Sequence, residues 1–234
     1  RSDIYLENVS ALPSGYTQLE YIQGDGSQYI NTGYYPKTNT WVHTDIMGTV
    51  LGSGNKHWFN AYMSTGNSRS FGFNQYNDSA FNFLYGNIGA WTQVPQSNAI
   101  GTKHAIDFGK NQKIYIDDVE KLNLSSYTRS NESSQPLLLF ARPGYETSTY
   151  MMKGRMYDFV IYEGDNIVHN YIPARQDSNN AVGLYDIVTN TFKTMSTSSA
   201  FTAGNPITGS TTSTYTVGVG ATINEVPTRD GYTF

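Results

Sequence analysis

Apolar and polar residues alternate at every second position along most of this chain. We find no stretch of about 12 residues in which apolar side chains recur at helical spacing. Turn-forming residues interrupt the alternation roughly every 8 to 12 residues, which is typical of a sandwich or a barrel. We interpret the following alternating or continuously apolar segments as strands: 40–47, 57–64, 104–108, 113–119, 135–141 and 154–174, the last turning at 163–166. The pattern therefore predicts an all-β protein.

The clearest pattern is a hairpin of two strands, 69–76 and 80–87, that turns at Asn77–Ser79. Successive side chains of a strand point to opposite faces of the sheet. One face of this hairpin then carries five large rings, each of which buries about 150–250 Å² when it is packed. They are Phe71, Phe73, Phe81, Phe83 and Tyr85. We expect this face to form the core, together with Phe59, Ala61 and Met63 of the preceding strand.

The opposite face of the same strands should point to solvent, and it combines aromatic rings, side-chain amides and glycines. Sugars pack their C–H faces on aromatic rings, and amide groups both donate and accept hydrogen bonds, as hydroxyl groups do. The sequence around this face is almost free of charge, which favours a neutral ligand. The candidate ligand-binding residues are Trp58, Asn60, Tyr62, Asn74 and Asn82, with Trp91 as a rim platform. Two alternatives stay open: a polar face that only keeps the sheet soluble, and a Trp91 that fills a gap in the core.

Composition and charge exclude several classes of protein. Only 15% of the residues are charged, the net charge is −4, and no basic cluster occurs. Nucleic-acid binding needs a positive footprint, so we expect no nucleic-acid partner. No apolar run approaches the roughly 18 residues of a membrane span, so we expect no membrane insertion. The chain has no cysteine, which excludes disulfides and thiolate metal sites.

Two segments resemble a LamG-like domain of the concanavalin A-like lectin/glucanase superfamily, of a type found in surface proteins of gut bacteria and their phages. They read LPSGYTQLEYIQGDGSQYINTGYYPKTNT (12–40) and GRMYDFVIYEGDNIVHNYIPARQDSNNAVGLYDIVTNTFKT (154–194). The resemblance is specific at these two ends and loose in between. It implies a jelly-roll sandwich of two antiparallel sheets.

The end of the chain, YTVGVGATINEVPTRDGYTF, resembles the start of a Listeria–Bacteroides repeat of internalin-type adhesins. We therefore expect a leader or linker at 1–12, the jelly-roll domain at 13–204, and a linker with the beginning of a repeat module at 205–234. Such repeats belong to extracellular, wall-attached proteins. The resemblance implies an extracellular or bacterial cell-surface location, with other domains of the same chain as partners.

The sequence supports no catalytic or zinc site. Glucanases of this superfamily use paired carboxylates. The nearest matches, Glu163 with Asp165 and the acidic group at 117–120, adjoin predicted turns and are interpreted as turn chemistry. The four histidines show no H-x-H or H-E-x-x-H spacing. LamG-like domains often bind one calcium ion near the rim, so the resemblance implies that a structural calcium can be bound although no cofactor is required. The candidate ligands are Asp117, Asp118 and Asp186, each of which also suits an ordinary turn or strand cap.

Three functional hypotheses follow. The first is a non-catalytic, glycan-binding module of a bacterial surface or secreted multidomain protein. The second is a protein-interaction or spacer domain of an adhesin or phage receptor-binding protein. The third, less favoured, is a divergent glycoside hydrolase.

Overall fold

The described part of the chain folds into two antiparallel β-sheets that pack face to face. The computed structural model describes residues 12–50, 55–62, 69–88, 90–147, 149–195 and 200–207. Strands β3-β12-β5-β6-β7-β8 form the smaller sheet in that order. Their bounds are Ile30–Asn31 (β3), Leu138–Leu139 (β12), Lys56–Asn60 (β5), Ser70–Asn77 (β6), Ala80–Gly86 (β7) and Thr92–Pro95 (β8). This is the two-sheet sandwich that the resemblance implied.

The larger sheet runs in the order β11-β10-β9-β4-β14-β15-β16-β17, and four short strands extend it from β15, β4 and β2. The strands of this sheet are Tyr16–Gln18 (β1), Ile22–Asp25 (β2), Thr40–Gly48 (β4), His104–Phe108 (β9), Lys113–Ile116 (β10), Val119–Asn123 (β11), Lys153–Met156 (β13), Phe159–Glu163 (β14), Asn166–Gln176 (β15), Val182–Asp186 (β16), Thr191–Lys193 (β17) and Thr202–Ala203 (β18). A short 3-10 turn, Lys110–Gln112, connects β9 to β10. Among the described residues, no helix has the length and apolar character to cross a membrane.

An aromatic core joins the two sheets. Phe59 of β5 lies 5.4 Å, centroid to centroid, from both Phe108 and Phe159 of the larger sheet. Phe71 and Phe73 of β6 also contact Phe108, at 5.0 and 5.8 Å. All of these rings are fully buried. The prediction that the hairpin phenylalanines face the core is therefore confirmed.

The predicted turns are found, but several predicted strands differ from the structure. Among the described residues, segment 57–64 forms a strand only as far as Asn60, and Met63, expected in the core, lies outside those residues. Segment 154–174 was expected to contain two strands and contains parts of three, β13, β14 and β15. Segment 113–119 bends at Asp117 and Asp118, which both have positive φ, and so divides into β10 and β11. In segment 135–141, only Leu138–Leu139 pairs as a strand, because Phe140 has φ of 64° and interrupts the ladder. Residues 137–141 are nevertheless all buried, as the continuous apolar run predicted.

The structure corrects the orientation of Trp58. The pairing of β5 with β6 shifts register between His57 and Phe59, so Trp58 occupies a bulge. Its ring turns toward the larger sheet, packs 6.1 Å from Phe140, and lies over Gly154 of β13. Because an extra residue in a strand breaks the two-residue period, Trp58 and Phe59 both face the interior. The prediction that Trp58 is an outward ligand platform is wrong.

The segments predicted to flank the domain are mostly outside the described residues. Only Leu12 of the predicted leader and 205–207 of the predicted 205–234 module are described. Those last residues pair with the larger sheet, since Pro206 bridges Leu19 and the Ile207 amide donates to the Gln18 carbonyl.

Candidate functional site

A row of amides crosses the outer face of the smaller sheet. Asn74 of β6 lies between His57 of β5 and Asn82 of β7 in the strand register. Asn60 lies opposite Gly72, one residue pair further along this face. The prediction that Asn60, Asn74 and Asn82 share one face is consistent with this register.

The same residues are not exposed, and this corrects the expectation that they lie on a solvent-facing surface. Asn60 and Asn74 are fully buried, and Asn82 and Tyr62 retain only 4% exposure. Trp91 and Tyr150 lie against His57 over this face, with ring centroids 5.3 and 6.2 Å away. Connecting segments that are distant in sequence therefore cover a face that strand periodicity alone assigns to solvent.

Several polar atoms of this buried face have no hydrogen-bond partner among the described residues. They are His57 Nδ1, Asn60 Nδ2, both side-chain polar atoms of Asn74, and Asn82 Oδ1. The remaining amide atoms do bond, because Asn82 Nδ2 donates to Asn55 Oδ1 at 3.1 Å and Asn60 Oδ1 accepts from the Tyr62 amide at 2.7 Å. Each unpaired buried polar group costs about 1–3 kcal/mol. Buried polar groups of this kind require an explanation, which can be ordered water, an ion, local strain or a functional role.

Six side chains beside this amide row form a closed circuit of contacts, which we call the aromatic circuit. In order around the circuit they are Arg142, Tyr62, Trp91, His57, Tyr150 and Tyr145. The guanidinium of Arg142 lies 4.7 Å from the Tyr62 ring centroid and 4.2 Å from that of Tyr145. Its inner members, His57 and Tyr62, are buried, whereas Tyr145 is 41% exposed. The circuit thus connects the buried amide row to the surface.

Local structure holds the inner part of the circuit in place. Asn60 Oδ1 accepts from the Tyr62 backbone N–H and so fixes the chain just after β5. Gly72 leaves the space for this amide, because a Cβ there would stand 2.3 Å from Asn60 Nδ2. The His57 backbone N–H donates to the Tyr150 carbonyl at 3.0 Å, which attaches the chain at Tyr150 to β5.

The site contains cations, whereas the local sequence suggested surroundings almost free of charge. Burial, together with the cations Arg142 and Lys56, lowers the pKa of His57 to about 3. His57 is therefore an uncharged imidazole at neutral pH. Arg142 reaches the site from a segment far along the chain, so the scarcity of charge between Trp58 and Thr102 did not reveal it. Sequence reasoning also missed Tyr145 and Tyr150, for which alternation within a strand offers no signal.

A second surface compatible with a polar ligand lies at the rim of the sandwich. It is a cleft of about 290 Å³ where the start of β4, the β14–β15 turn and the β9–β10 connection meet. Its lining includes Trp41, Tyr85 and three side-chain amides, Asn39, Asn111 and Gln112. The Trp41 indole N–H donates to the Gly164 carbonyl at 2.7 Å, and its ring stacks on Tyr162 at 3.6 Å. Trp41 is thereby fixed in orientation.

The outer face of the larger sheet carries a group of potential metal ligands. His43 and Asp45 project from β4 and Asp158 from the β13–β14 connection, and one ligand atom from each lies within 4.8 Å of the others. Burial lowers the pKa of His43, but the hydrogen bond to Asp107 and the neighbouring carboxylates raise it overall. Burial and the charge of Asp45 raise the pKa of Asp158 to about 6. The sequence signal was His-x-Asp within predicted strand 40–47, a spacing that places both side chains on one face.

The three aspartates expected to bind calcium are not brought together. Asp117 and Asp118 form the β10–β11 turn, whereas Asp186 ends β16, five strand spacings or roughly 24 Å away in the sheet. Asp186 is fully buried and accepts hydrogen bonds from His169, Asn170, Val188 and Thr189. Asp117 accepts from the Ala105 amide and pairs with His104 at 2.7 Å. These contacts correspond to the turn and strand-cap roles, so the grouping of these aspartates at one ion is wrong.

Comparison with known proteins leaves the family of this chain open. No protein-family profile matches this sequence, and no curated protein matches it. Among similar solved structures is a native heptameric SAP-like pentraxin from Limulus polyphemus, with 11% identity and a TM-score of 0.44 over 63% of this chain and 75% of the pentraxin chain. The described part of this chain is all-β, with two antiparallel sheets packed face to face.

Proposed function

We propose that this chain is a non-catalytic, lectin-like carbohydrate-binding module whose ligand contacts lie on the amide row and the aromatic circuit. The observation that carries the proposal is a set of buried polar atoms that find no partner in the described part of the chain, on His57, Asn60, Asn74 and Asn82. They adjoin rings that reach the surface. A sugar hydroxyl both donates and accepts, so it can pair with an amide N–H and a neighbouring carbonyl oxygen at once.

The aromatic circuit supplies the apolar half of such an interface. Trp91, Tyr145 and Tyr150 retain exposed surface, and flat rings bury the C–H faces of a pyranose with little loss of side-chain entropy. Arg142 lies between the rings of Tyr62 and Tyr145, so the circuit also contains a cation. Arg142 and Lys56 add positive charge, so acidic glycans belong among the candidate ligands beside the neutral ones that the sequence favoured.

The binding test compares the wild type with Trp91→Ala and Asn82→Ala on a glycan array and by affinity gel electrophoresis. We expect retention on at least one neutral or acidic polysaccharide, reduced at least tenfold by each substitution, because a stacked ring or a buried amide contact contributes about 1.5 kcal/mol or more. Trp41→Ala removes the tryptophan of the rim cleft and is the matched control. We expect it to bind like the wild type.

Two outcomes would count against this site. If Trp41→Ala abolishes retention and Trp91→Ala does not, the glycan occupies the rim cleft instead. If no polysaccharide or glycan is retained by the wild type, the carbohydrate-binding function itself is wrong. Circular dichroism and urea unfolding of each variant separate a lost contact from a lost fold.

A protein-interaction or spacer role in an adhesin or phage receptor-binding protein is the alternative function. A pull-down on candidate surface proteins that is indifferent to both Trp91 and Trp41 would favour it. A glycosidase is less favoured, since Glu163 is engaged by Lys37 at 2.9 Å and by the Tyr34 hydroxyl at 3.2 Å. Release of reducing sugar that disappears with one carboxylate would revive the enzyme.

We place this module in a bacterial cell-surface or secreted multidomain protein, on the resemblance of its sequence to domains of that kind. One copy of a lectin-like site binds weakly in general, and display in many copies on a surface raises the overall affinity by 10²–10⁴. Neighbouring domains of the same chain then determine where the glycan is held.

A further inference from the structure

We infer that His43, Asp45 and Asp158 form a binding site for a divalent first-row metal ion of the zinc type on the outer face of the larger sheet. This site lies on the sheet opposite to the proposed glycan site and does not depend on it. The inference rests on how the free ligand atoms converge and on how the other atoms of the same side chains are held.

Three ligand atoms point toward one another. His43 Nε2 is 3.9 Å from Asp45 Oδ1 and 3.9 Å from Asp158 Oδ2. Zinc takes imidazole nitrogen at about 2.0–2.1 Å and carboxylate oxygen at about 2.0–2.2 Å, so small side-chain rotations suffice to bring all three atoms onto one ion. The three side chains are 20–34% exposed, which leaves a path for the ion and one coordination position for water.

Each of these side chains is fixed through its other polar atom. Asp158 Oδ1 accepts from the Asp45 backbone N–H at 2.6 Å, and Asp45 Oδ2 pairs with Lys103 at 2.6 Å. The inner oxygens, Asp45 Oδ1 and Asp158 Oδ2, face His43 without a hydrogen bond to another described group. The ligand set is therefore oriented before any ion arrives, which lowers the cost of binding.

The orientation of His43 provides a second argument for a metal. Its Nδ1 lies 2.7 Å from Asp107 Oδ1, on the neighbouring strand β9. A carboxylate accepts, so Nδ1 carries the proton, and in the neutral imidazole Nε2 then presents its lone pair toward Asp45 and Asp158. A histidine whose second nitrogen donates to a carboxylate is the usual arrangement at metal sites. Lys110, 3.0 Å from Asp107 Oδ2, holds that carboxylate in turn.

The donor set selects against calcium. Calcium takes six to eight oxygens and no imidazole, whereas one nitrogen and two carboxylate oxygens suit zinc or a neighbouring transition metal. The ion expected here thus differs from the calcium that the sequence resemblance implied, and it lies at different residues.

The test is isothermal titration of ZnCl₂ into the full chain after chelator treatment and removal of any affinity tag. We expect one saturable zinc site per chain, at least tenfold weaker in His43→Gln and in Asp158→Asn. Asp107→Asn, which removes the positioning carboxylate, should also weaken binding about tenfold. The matched control is Asp118→Asn, an exposed aspartate in a turn, which should bind zinc like the wild type.

Cobalt substitution gives an independent readout, since a tetrahedral cobalt site with one nitrogen ligand has a visible absorption spectrum that His43→Gln should abolish. Calcium should produce no saturable heat at the same concentrations. The inference is overturned if the wild type shows no one-to-one zinc uptake, if His43→Gln and Asp158→Asn bind as tightly as the wild type, or if calcium competes equally for the site. Unfolding curves of the variants without metal check that the sheet itself is intact.

Discussion

Gly72 and Asn60 should be strongly coupled, because the space that Gly72 leaves empty holds the Asn60 amide. An alanine Cβ at position 72 would stand 2.3 Å from Asn60 Nδ2 and 2.9 Å from its Cγ, distances that atoms do not tolerate. The amide must then move, and its Oδ1 loses the 2.7 Å hydrogen bond from the Tyr62 backbone. Tyr62 is an inner member of the aromatic circuit, so the displacement reaches the proposed glycan site.

The expected cost follows from the groups that lose partners. Leaving the buried Tyr62 N–H unpaired costs about 1–3 kcal/mol. Replacing glycine by alanine in a strand returns about 0.5–1 kcal/mol through backbone entropy. We therefore expect Gly72→Ala to lower the free energy of unfolding by about 1–2 kcal/mol. In an Asn60→Ala background, the same substitution meets no amide and should be neutral or stabilising.

The assay is a double-mutant cycle of Gly72→Ala and Asn60→Ala, measured by urea unfolding and followed by tryptophan fluorescence. Gly48→Ala is the matched control, since a Cβ there meets its nearest neighbours at 3.3–3.4 Å, and it should be indifferent to Asn60. A coupling energy below about 0.5 kcal/mol would refute the reasoning, because the two residues would then act independently.

Three further outcomes are expected. The pKa of His57 in the folded state, about 3, lies below its value in the unfolded state, so the stabilisation is complete above pH 6.5 and is lost as the pH falls below it. At pH 4.5 the loss of unfolding free energy is about 2–3 kcal/mol. In urea unfolding, His57→Gln should remove this dependence on pH. Asp186→Asn should lower the unfolding free energy by about 2–4 kcal/mol, with or without chelator, because it disturbs the hydrogen bonds to His169 and Thr189. If calcium raised the melting temperature of the wild type and this substitution abolished the effect, the prediction would be wrong. Gly154→Ala should lower the unfolding free energy by about 3 kcal/mol, since its Cβ would meet the Trp58 ring at 2.4 Å and the Met47 carbonyl at 2.7 Å. In circular dichroism melting, Trp58→Phe should restore part of that loss. A Gly154→Ala variant as stable as the wild type would contradict the packing.

Strand periodicity alone determined the fold class and the core face of the hairpin. Phe71, Phe73, Phe81 and Phe83 alternate with small and polar residues, and burial of large rings leaves only one orientation for such a pattern. The turns at 77–79 and 163–166 were equally clear, because their residues adopt turn conformations irrespective of distant contacts.

Periodicity failed at Trp58, where a bulge adds one residue to β5 and reverses the parity of every position before it. A bulge has no compulsory sequence signal, and its place depends on the partner strand. The same limit applies to the polar face of the sheet. Asn60, Asn74 and Asn82 were grouped correctly, but alternation distinguishes the two faces of a sheet and does not say what covers each of them.

Only the tertiary structure decided which residues meet. The circuit that contains His57 also contains Arg142, Tyr145 and Tyr150, which follow it by about 85–95 positions in the sequence. Asp158 is likewise distant from His43 in the sequence but close to it in the structure. The face of a strand on which a residue lies depends on its immediate neighbours in the sequence, so this face can be predicted from the sequence. Long-range contact depends on how two sheets and their connections pack, and this is why the charge of the proposed glycan site and the metal ligand set became visible only in the folded chain.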